Sequence, residues 1–194
     1  ATAYLPDVAN SAWSMIVIDM GAGTTDFGSY MSVPGATGKA RLHSLDHTIA
    51  IAGDDIDRSL LNVIIQKAKG INSQRELGGL WRHLLPSIRA RKEEIFSRGQ
   101  LSIEFYGHTV SCSIRELQKS KDFRAIVDAI TKDFSIVIEQ TAKRAAKYKL
   151  RETVVIATGG GARLPFIAEM VQKAAAKRSS VRIRVAPPQP VWVN

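Results

Sequence analysis

The chain has 194 residues, of which 45% are hydrophobic and 23% charged, proportions typical of a globular protein with a core. Its net charge is +9, but the cations are spread along the chain, so nucleic acid is not an expected partner. The single cysteine, Cys112, excludes an internal disulfide, and no apolar run approaches the roughly 18 residues of a membrane span, so we expect a cytoplasmic setting.

Three strands are predicted near the start of the chain. Residues Ser14–Asp19 form a short, β-branched apolar run, which favours a buried strand. Residues Thr25–Ser32 predict a second strand and Ala40–His47 a third, with turn residues between them at Pro34–Lys39. We therefore expect a meander of three antiparallel strands.

The hydrophobic period then becomes helical. Apolar residues recur at helical spacing over 56–68, and residues 70–79 have the composition of a surface connection. A second helical stretch is predicted over 80–97, with a break at Pro86. Residues 101–114 predict two short strands joined as a hairpin.

The last third of the chain alternates helices and strands. Apolar positions over 123–145 predict a long amphipathic helix. Residues Thr153–Thr158 form an apolar run that is typical of a parallel strand covered on both faces. A helix is expected to begin at Pro165, and Val181–Val185 alternates as a half-exposed strand does.

This order of elements predicts an α/β fold that is interrupted by a small inserted subdomain. The main layer combines the three-strand meander with parallel strands and their helices. We expect the core to comprise residues 1–69 and 121–194, and a helix-plus-hairpin α+β subdomain to occupy 70–120.

The stretch "VIDMGAGTTDFGSY" leaves a buried strand through Asp19 and enters a turn of small residues. These residues are Gly21, Ala22, Gly23, Thr24 and Thr25. Their backbone N–H groups can form a concavity that binds anions, and Asp19 can hold Mg²⁺ through water. Asp26 can buttress the turn. The structural alternative is a simple glycine-rich hairpin.

A second glycine-rich stretch, "TGGGARLP", lies between a predicted strand and a predicted helix. Ligands of α/β sheets gather at the carboxyl ends of strands, and helix N-termini favour phosphate. Close packing of the helix on the strand is the alternative reading. Taken alone, the segment "AGDDIDRSLLN" is typical of a capped helix and the segment "RKEEIFSRG" of a charged helix face.

Taken in order, these four features resemble the second lobe of the ATPase domain of the heat-shock-70 chaperone family, within the ribonuclease-H-like, actin-like ATPase superfamily. The positions that match the family's motifs are Asp19, Gly21, Gly23, Thr24, Asp26, Gly53, Asp55, Asp57, Gly159, Gly160, Arg163 and Pro165. Lys92 matches the family's nucleoside-contacting lysine. The resemblance covers nearly the whole chain.

The resemblance implies ATP or ADP with Mg²⁺ as cofactors. It implies that Asp19 lies near the metal and the attacking water, and that Thr24 shares in catalysis. The implied nucleotide-binding residues are Gly21, Ala22, Gly23, Thr24, Thr25, Gly53, Asp54, Lys92, Gly159, Gly160, Gly161 and Arg163. The implied partners are the first lobe of the same ATPase, with co-chaperones or peptide clients.

The chain also departs from the family pattern. Ala22 and Ala52 replace glycines, and Arg89 stands where the family has a glutamate. We therefore keep two alternatives, a nucleotide-independent interaction module and a lobe of a bacterial cytoskeletal or cell-division actin relative. The family's first phosphate loop is not found in this sequence, so we expect an excised lobe with little ATPase activity alone.

Overall fold

The residues described by this computed structural model are 12–35, 40–68, 73–176 and 182–185. Their contacts divide the chain into two units. We call residues 1–50 and 130–194 the sheet unit, and residues 51–129 the hairpin unit. The predicted insertion at 70–120 uses different boundaries and stays a prediction about domain organisation.

A five-stranded mixed sheet organises the sheet unit, with the strand order β3-β2-β1-β6-β7. The strands are β1 (Trp13–Met20), β2 (Thr25–Pro34), β3 (Ala40–Ile49), β6 (Glu152–Thr158) and β7 (Arg182–Val185). β1, β2 and β3 pair antiparallel, whereas β6 pairs parallel with both β1 and β7. The predicted α/β class, meander and parallel strand are confirmed; part of the Pro34–Lys39 turn lies outside the described residues.

Helix α5 (Lys121–Lys147) covers β2 along one face of the sheet. The rings of Phe27 and Phe134 lie 6.2 Å apart, and the buried hydroxyl oxygens of Thr141 and Ser29 are hydrogen-bonded at 2.7 Å. α5 is amphipathic as predicted, because its buried positions recur at helical spacing. Helix α6 (Pro165–Ala176) begins at a proline, which suits the first helical turn.

Helices and a two-stranded sheet form the hairpin unit. Its elements are α1 (Gly53–Lys67), α2 (Gln74–Leu84), α3 (Ile88–Arg98), β4 (Gln100–Phe105), β5 (His108–Ser113) and α4 (Ile114–Lys119). β4 and β5 form the expected antiparallel hairpin, with Tyr106 and Gly107 at positive φ in its turn. A 3-10 turn at Leu85–Ser87 separates α2 from α3, so the predicted break at Pro86 is confirmed.

The prediction of a surface connection over 70–79 is wrong for residues 74–79, which belong to α2. Ser73 caps this helix, because its hydroxyl oxygen accepts a hydrogen bond from the backbone N–H of Glu76. A Cβ on Gly79 would lie 3.2 Å from the Phe105 ring, so this glycine allows the helix to approach the hairpin closely. One of the two glycines that indicated a loop, Gly79, therefore serves packing.

Within the described ranges, no helix is both long enough and apolar enough to cross a membrane.

Candidate functional site

The two glycine-rich stretches of the sequence meet at one end of the sheet unit. β1 and β6 are parallel neighbours, and their register pairs Asp19 with Thr158. Because both strands run in the same direction, each ends at the same edge of the sheet, where ligands of open α/β sheets gather. Two motifs that lie far apart in the sequence therefore become neighbours through strand pairing alone.

Gly159 makes this meeting sterically feasible. Its φ of +81° and ψ of 172° belong to a region that is essentially restricted to glycine. A Cβ at this position would lie 2.6 Å from the carbonyl oxygen of Met20 and closer still to Oδ1 of Asp19. The missing side chain therefore leaves the space that the Asp19 carboxyl group occupies.

The turn after β1 carries no bulky side chain. The Gly21 N–H donates to the Thr24 carbonyl oxygen at 2.9 Å, so this donor closes the turn. Gly21, Ala22, Gly23 and Thr24 are all exposed. A Cβ on Gly23 would meet no atom within 4 Å, so the tip of the turn is open to a ligand.

Asp26 fastens this turn to the sheet. Its Oδ2 accepts a hydrogen bond from the Thr24 hydroxyl at 3.0 Å, and its Oδ1 accepts one from the Thr48 hydroxyl at 2.6 Å. The register pairs Asp26 with both Asp19 and Thr48, so these side chains form one polar row across three strands. The expected buttressing by Asp26 is present, and Thr48 is a partner that the sequence analysis missed.

These residues are compatible with a magnesium site of few protein ligands. Asp19 is exposed and lies beside Gly159. Within the described residues, no group of three or more His, Cys, Asp or Glu side chains is arranged to hold a metal ion. Mg²⁺ bound with a nucleotide commonly uses one or two carboxylates together with phosphate oxygens and water, which fits this set of donors.

The other predicted residues of the sheet unit divide by exposure. Gly160 and Arg163 are exposed in a 3-10 turn, Gly160–Arg163, that follows β6. Gly161 is buried, and a Cβ there would lie 2.8 Å from the Cβ of Met20. Thr25 is fully buried and pairs with Met20 in the ladder of β1 and β2. Gly161 and Thr25 are therefore buried next to Met20, where they contribute to the packing beneath the exposed residues.

The remaining predicted residues, Gly53, Asp54 and Lys92, lie in the hairpin unit. The Lys92 ammonium donates to the Gly53 carbonyl oxygen at 3.0 Å, which joins α3 to the first residue of α1. Asp54 is exposed beside them. The N-terminus of α1 is also capped, because the Ala52 N–H donates to the carboxylate of Asp55 at 2.9 Å.

Lys92 has a second partner in Asp57. Its Nζ lies 3.0 Å from Oδ1 of Asp57, and each side chain is only 12% exposed. Oδ1 receives no well-directed hydrogen bond, so the contact is chiefly ionic. Burial raises the pKa of Asp57 above its usual value, while Lys92 acts against that shift. The sequence matched Asp57 to a family motif but gave no sign of this partner.

In a comparison with protein-family models, residues 1–185 match the model of the family described as Hsp70 protein. A search of curated proteins finds no match.

Proposed function

The chain belongs to the Hsp70 protein family, and on that premise we propose that it is the second lobe of a chaperone ATPase, with the actin-like, ribonuclease-H-like fold. Hsp70 ATPase domains generally bind ATP or ADP with Mg²⁺, and we propose the same cofactors here. The proposed partners are the first lobe of the ATPase and, in general terms, co-chaperones and peptide clients. The cytoplasmic setting stays a prediction.

The observation that carries this proposal is the position of Gly159 against Asp19. A glycine held at positive φ leaves space for a carboxyl group contributed by a strand about 140 residues earlier in the chain. A plain glycine-rich hairpin requires no such partner. This packing supports a role for both glycine-rich stretches in one site of the sheet unit.

We assign each residue of that site a role. The N–H groups of Ala22, Gly23 and Thr24 donate to phosphate oxygens, since the N–H of Gly21 already closes the turn. The Asp19 carboxylate holds the metal's water shell, and the Thr24 hydroxyl is kept in position by Asp26. The exposed guanidinium of Arg163 stacks on the base, as the family resemblance implies. Bound Mg·ATP supplies the terminal phosphoryl group and the metal charge.

The hairpin unit has its own proposed part. Gly53 and Asp54 begin α1, and the resemblance assigns them to nucleotide contact together with Lys92. Phosphoryl transfer requires a metal, a phosphate clamp and a positioned water together. We therefore propose that this lobe alone has little or no ATPase activity.

The test is calorimetric titration with Mg·ATP of this chain and of the intact two-lobe protein that the proposal implies. We expect micromolar binding by the intact protein and weak or no binding by this chain. In the intact protein, Asp19→Ala is expected to lower kcat by about 100-fold or more, because it removes an electrostatic contact to the reacting centre.

Asp46→Ala is the matched control, since Asp46 is also an exposed aspartate of the sheet unit and lies on β3. Turnover in the control variant is expected to equal that of the parent. Full turnover by Asp19→Ala would remove the role assigned to Asp19. Absence of Mg·ATP binding by both proteins would overturn the proposed function.

One observation favours a second candidate, an interaction module that has the fold without nucleotide chemistry. The Lys92 ammonium is engaged by Gly53 and Asp57, although the resemblance assigns it to the nucleoside. If the intact protein is such a module, Mg·ATP will leave its thermal unfolding unchanged. A filament-forming actin relative would instead sediment in the presence of nucleotide.

A further inference from the structure

The contacts of Lys92 suggest a role for this residue other than ligand contact. The Lys92 ammonium donates a hydrogen bond to the Gly53 carbonyl oxygen and forms an ion pair with Oδ1 of Asp57, and each oxygen lies 3.0 Å from Nζ. The side chain is 12% exposed, so its charged end is largely withdrawn from solvent. A group held in this way is poorly placed to approach a ligand from solution.

We propose that Lys92 is a positioning residue, which fixes the Gly53 carbonyl and the first turn of α1 through Asp57 and does not itself contact the nucleotide. This inference rests on the proposed function, because it concerns the nucleotide contact that is proposed for the hairpin unit. It changes the assignment of one residue from direct recognition to support of Gly53 and Asp54.

The chemistry of Asp57 explains why the support depends on a lysine. A carboxylate that is 12% exposed loses most of its hydration, and removing its cation would leave an uncompensated charge. The charged groups that act on Asp57 are Lys92, Asp54 and Arg89. Of the two cations, Lys92 is the one that pairs with Asp57. Arg89 faces Glu93 instead, with Nε and Oε1 3.9 Å apart, and both of these side chains are more than 70% exposed.

A double-mutant cycle tests the inference. The variants are Lys92→Met, Asp57→Asn and the two combined, with Arg89→Met as the control on the same helix. In this chain, Lys92→Met is expected to lower Tm by about 5 °C or more, because it leaves Asp57 without its cation. The double variant is expected to lose less than the sum of the single changes. Arg89→Met is expected to change Tm by less than about 2 °C.

The second readout is the affinity of the intact two-lobe protein for Mg·ATP. If Lys92 acts through Asp57, Lys92→Met will weaken Mg·ATP binding by the otherwise unmutated two-lobe protein. The same change will have no further effect on affinity in the Asp57→Asn variant. An equal loss of affinity in both backgrounds would show direct contact and overturn the inference. If the unmutated two-lobe protein binds no Mg·ATP, the proposed function fails. The double-mutant cycle measured by Tm then tests the pairing of Lys92 with Asp57 by itself, and additive losses of Tm would overturn that pairing.

Discussion

The sheet unit and the hairpin unit hold their candidate residues by different means. In the sheet unit the important positions are glycines, and the decisive contact is the approach of Gly159 to Asp19, where a side chain would clash. In the hairpin unit the corresponding position is secured by charge, since Lys92 joins Gly53 and Asp57. The first arrangement depends on the absence of a side chain, and the second depends on an ion pair that is largely but not fully buried.

This difference sets the response of each unit to change. A methyl group added at a closely packed glycine clashes with its neighbours, and this clash does not depend on salt or pH. An ion pair depends on protonation and on the hydration that each partner gives up. The sheet unit is therefore expected to be sensitive to small substitutions, and the hairpin unit to solution conditions.

The largest effect is expected from Gly159→Ala. The new Cβ would meet Asp19 and the carbonyl oxygen of Met20, and the backbone at φ +81° disfavours any residue with a side chain. We expect a loss of about 3 kcal/mol in the free energy of unfolding, or about 10 °C in Tm. Thermal unfolding followed by circular dichroism measures this.

Gly23→Ala is the matched control in the other glycine-rich stretch. A Cβ there meets nothing within 4 Å, so stability is expected to change by less than about 0.5 kcal/mol. Equal losses at the two glycines would contradict the steric account of the sheet unit.

A smaller effect is expected from Thr48→Val, which tests the side-chain hydrogen bonds that hold the turn after β1. The change removes the 2.6 Å hydrogen bond to Asp26, which also holds Thr24. Since this bond is exposed, we expect a loss of about 1 kcal/mol. Amide exchange should become faster at residues 21–24 but remain unchanged in Ser44→Ala, a control at another exposed position on β3. Unchanged amide exchange at residues 21–24 in Thr48→Val would show that Thr48 does not stabilise the turn.

The smallest effects concern pH and involve two carboxylates of the hairpin unit. Hydrogen bonds from Lys67 and Ser113 lower the pKa of Glu116 from 4.5 to about 2, whereas burial raises the pKa of Asp57 above 3.8. The contribution of Glu116 is therefore present above pH 4.5 and is lost as the pH falls toward 2. That of Asp57 is present below pH 3.8 and is lost as the pH rises through its raised pKa.

Thermal unfolding at pH values from 3 to 7 compares the parent with Glu116→Gln and with Asp57→Asn. The advantage of the parent over Glu116→Gln is expected to grow with pH, while its stability relative to Asp57→Asn falls over the interval above pH 3.8. Two slopes of the same sign would contradict the contrast between the more exposed pair, Lys67 with Glu116, and the less exposed pair, Lys92 with Asp57.

Much of the sheet unit was accessible from the sequence, because its features have short-range signals. A β-branched apolar run predicted β1, and the two glycine-rich stretches indicated where strands end. The helix α2 was missed at its start, where Gly78 and Gly79 suggested a loop. The reason for Gly79 is its contact with Phe105 in the hairpin, which no local pattern encodes.

The candidate site was predicted as a set of residues, and that set stays a prediction. Strand pairing brings Asp19 and Gly159 together at the carboxyl ends of two parallel strands. The pairing of Lys92 with Asp57 was not predicted, because the two residues lie on different helices and the motifs that contain them give no sign that they pair. Local sequence patterns therefore predict well which glycines matter, but they predict poorly which charged side chains form ion pairs.

The pairing of β1 with β6 also sets an order of events during synthesis. Met15 pairs with Val154, so the chain must leave the ribosome to beyond residue 154 before this central contact can form. The hairpin unit is one uninterrupted segment, residues 51–129, whose contacts are available earlier. We therefore expect the hairpin unit to form its contacts first, at a stage when β1 has β2 as a neighbour but still lacks β6.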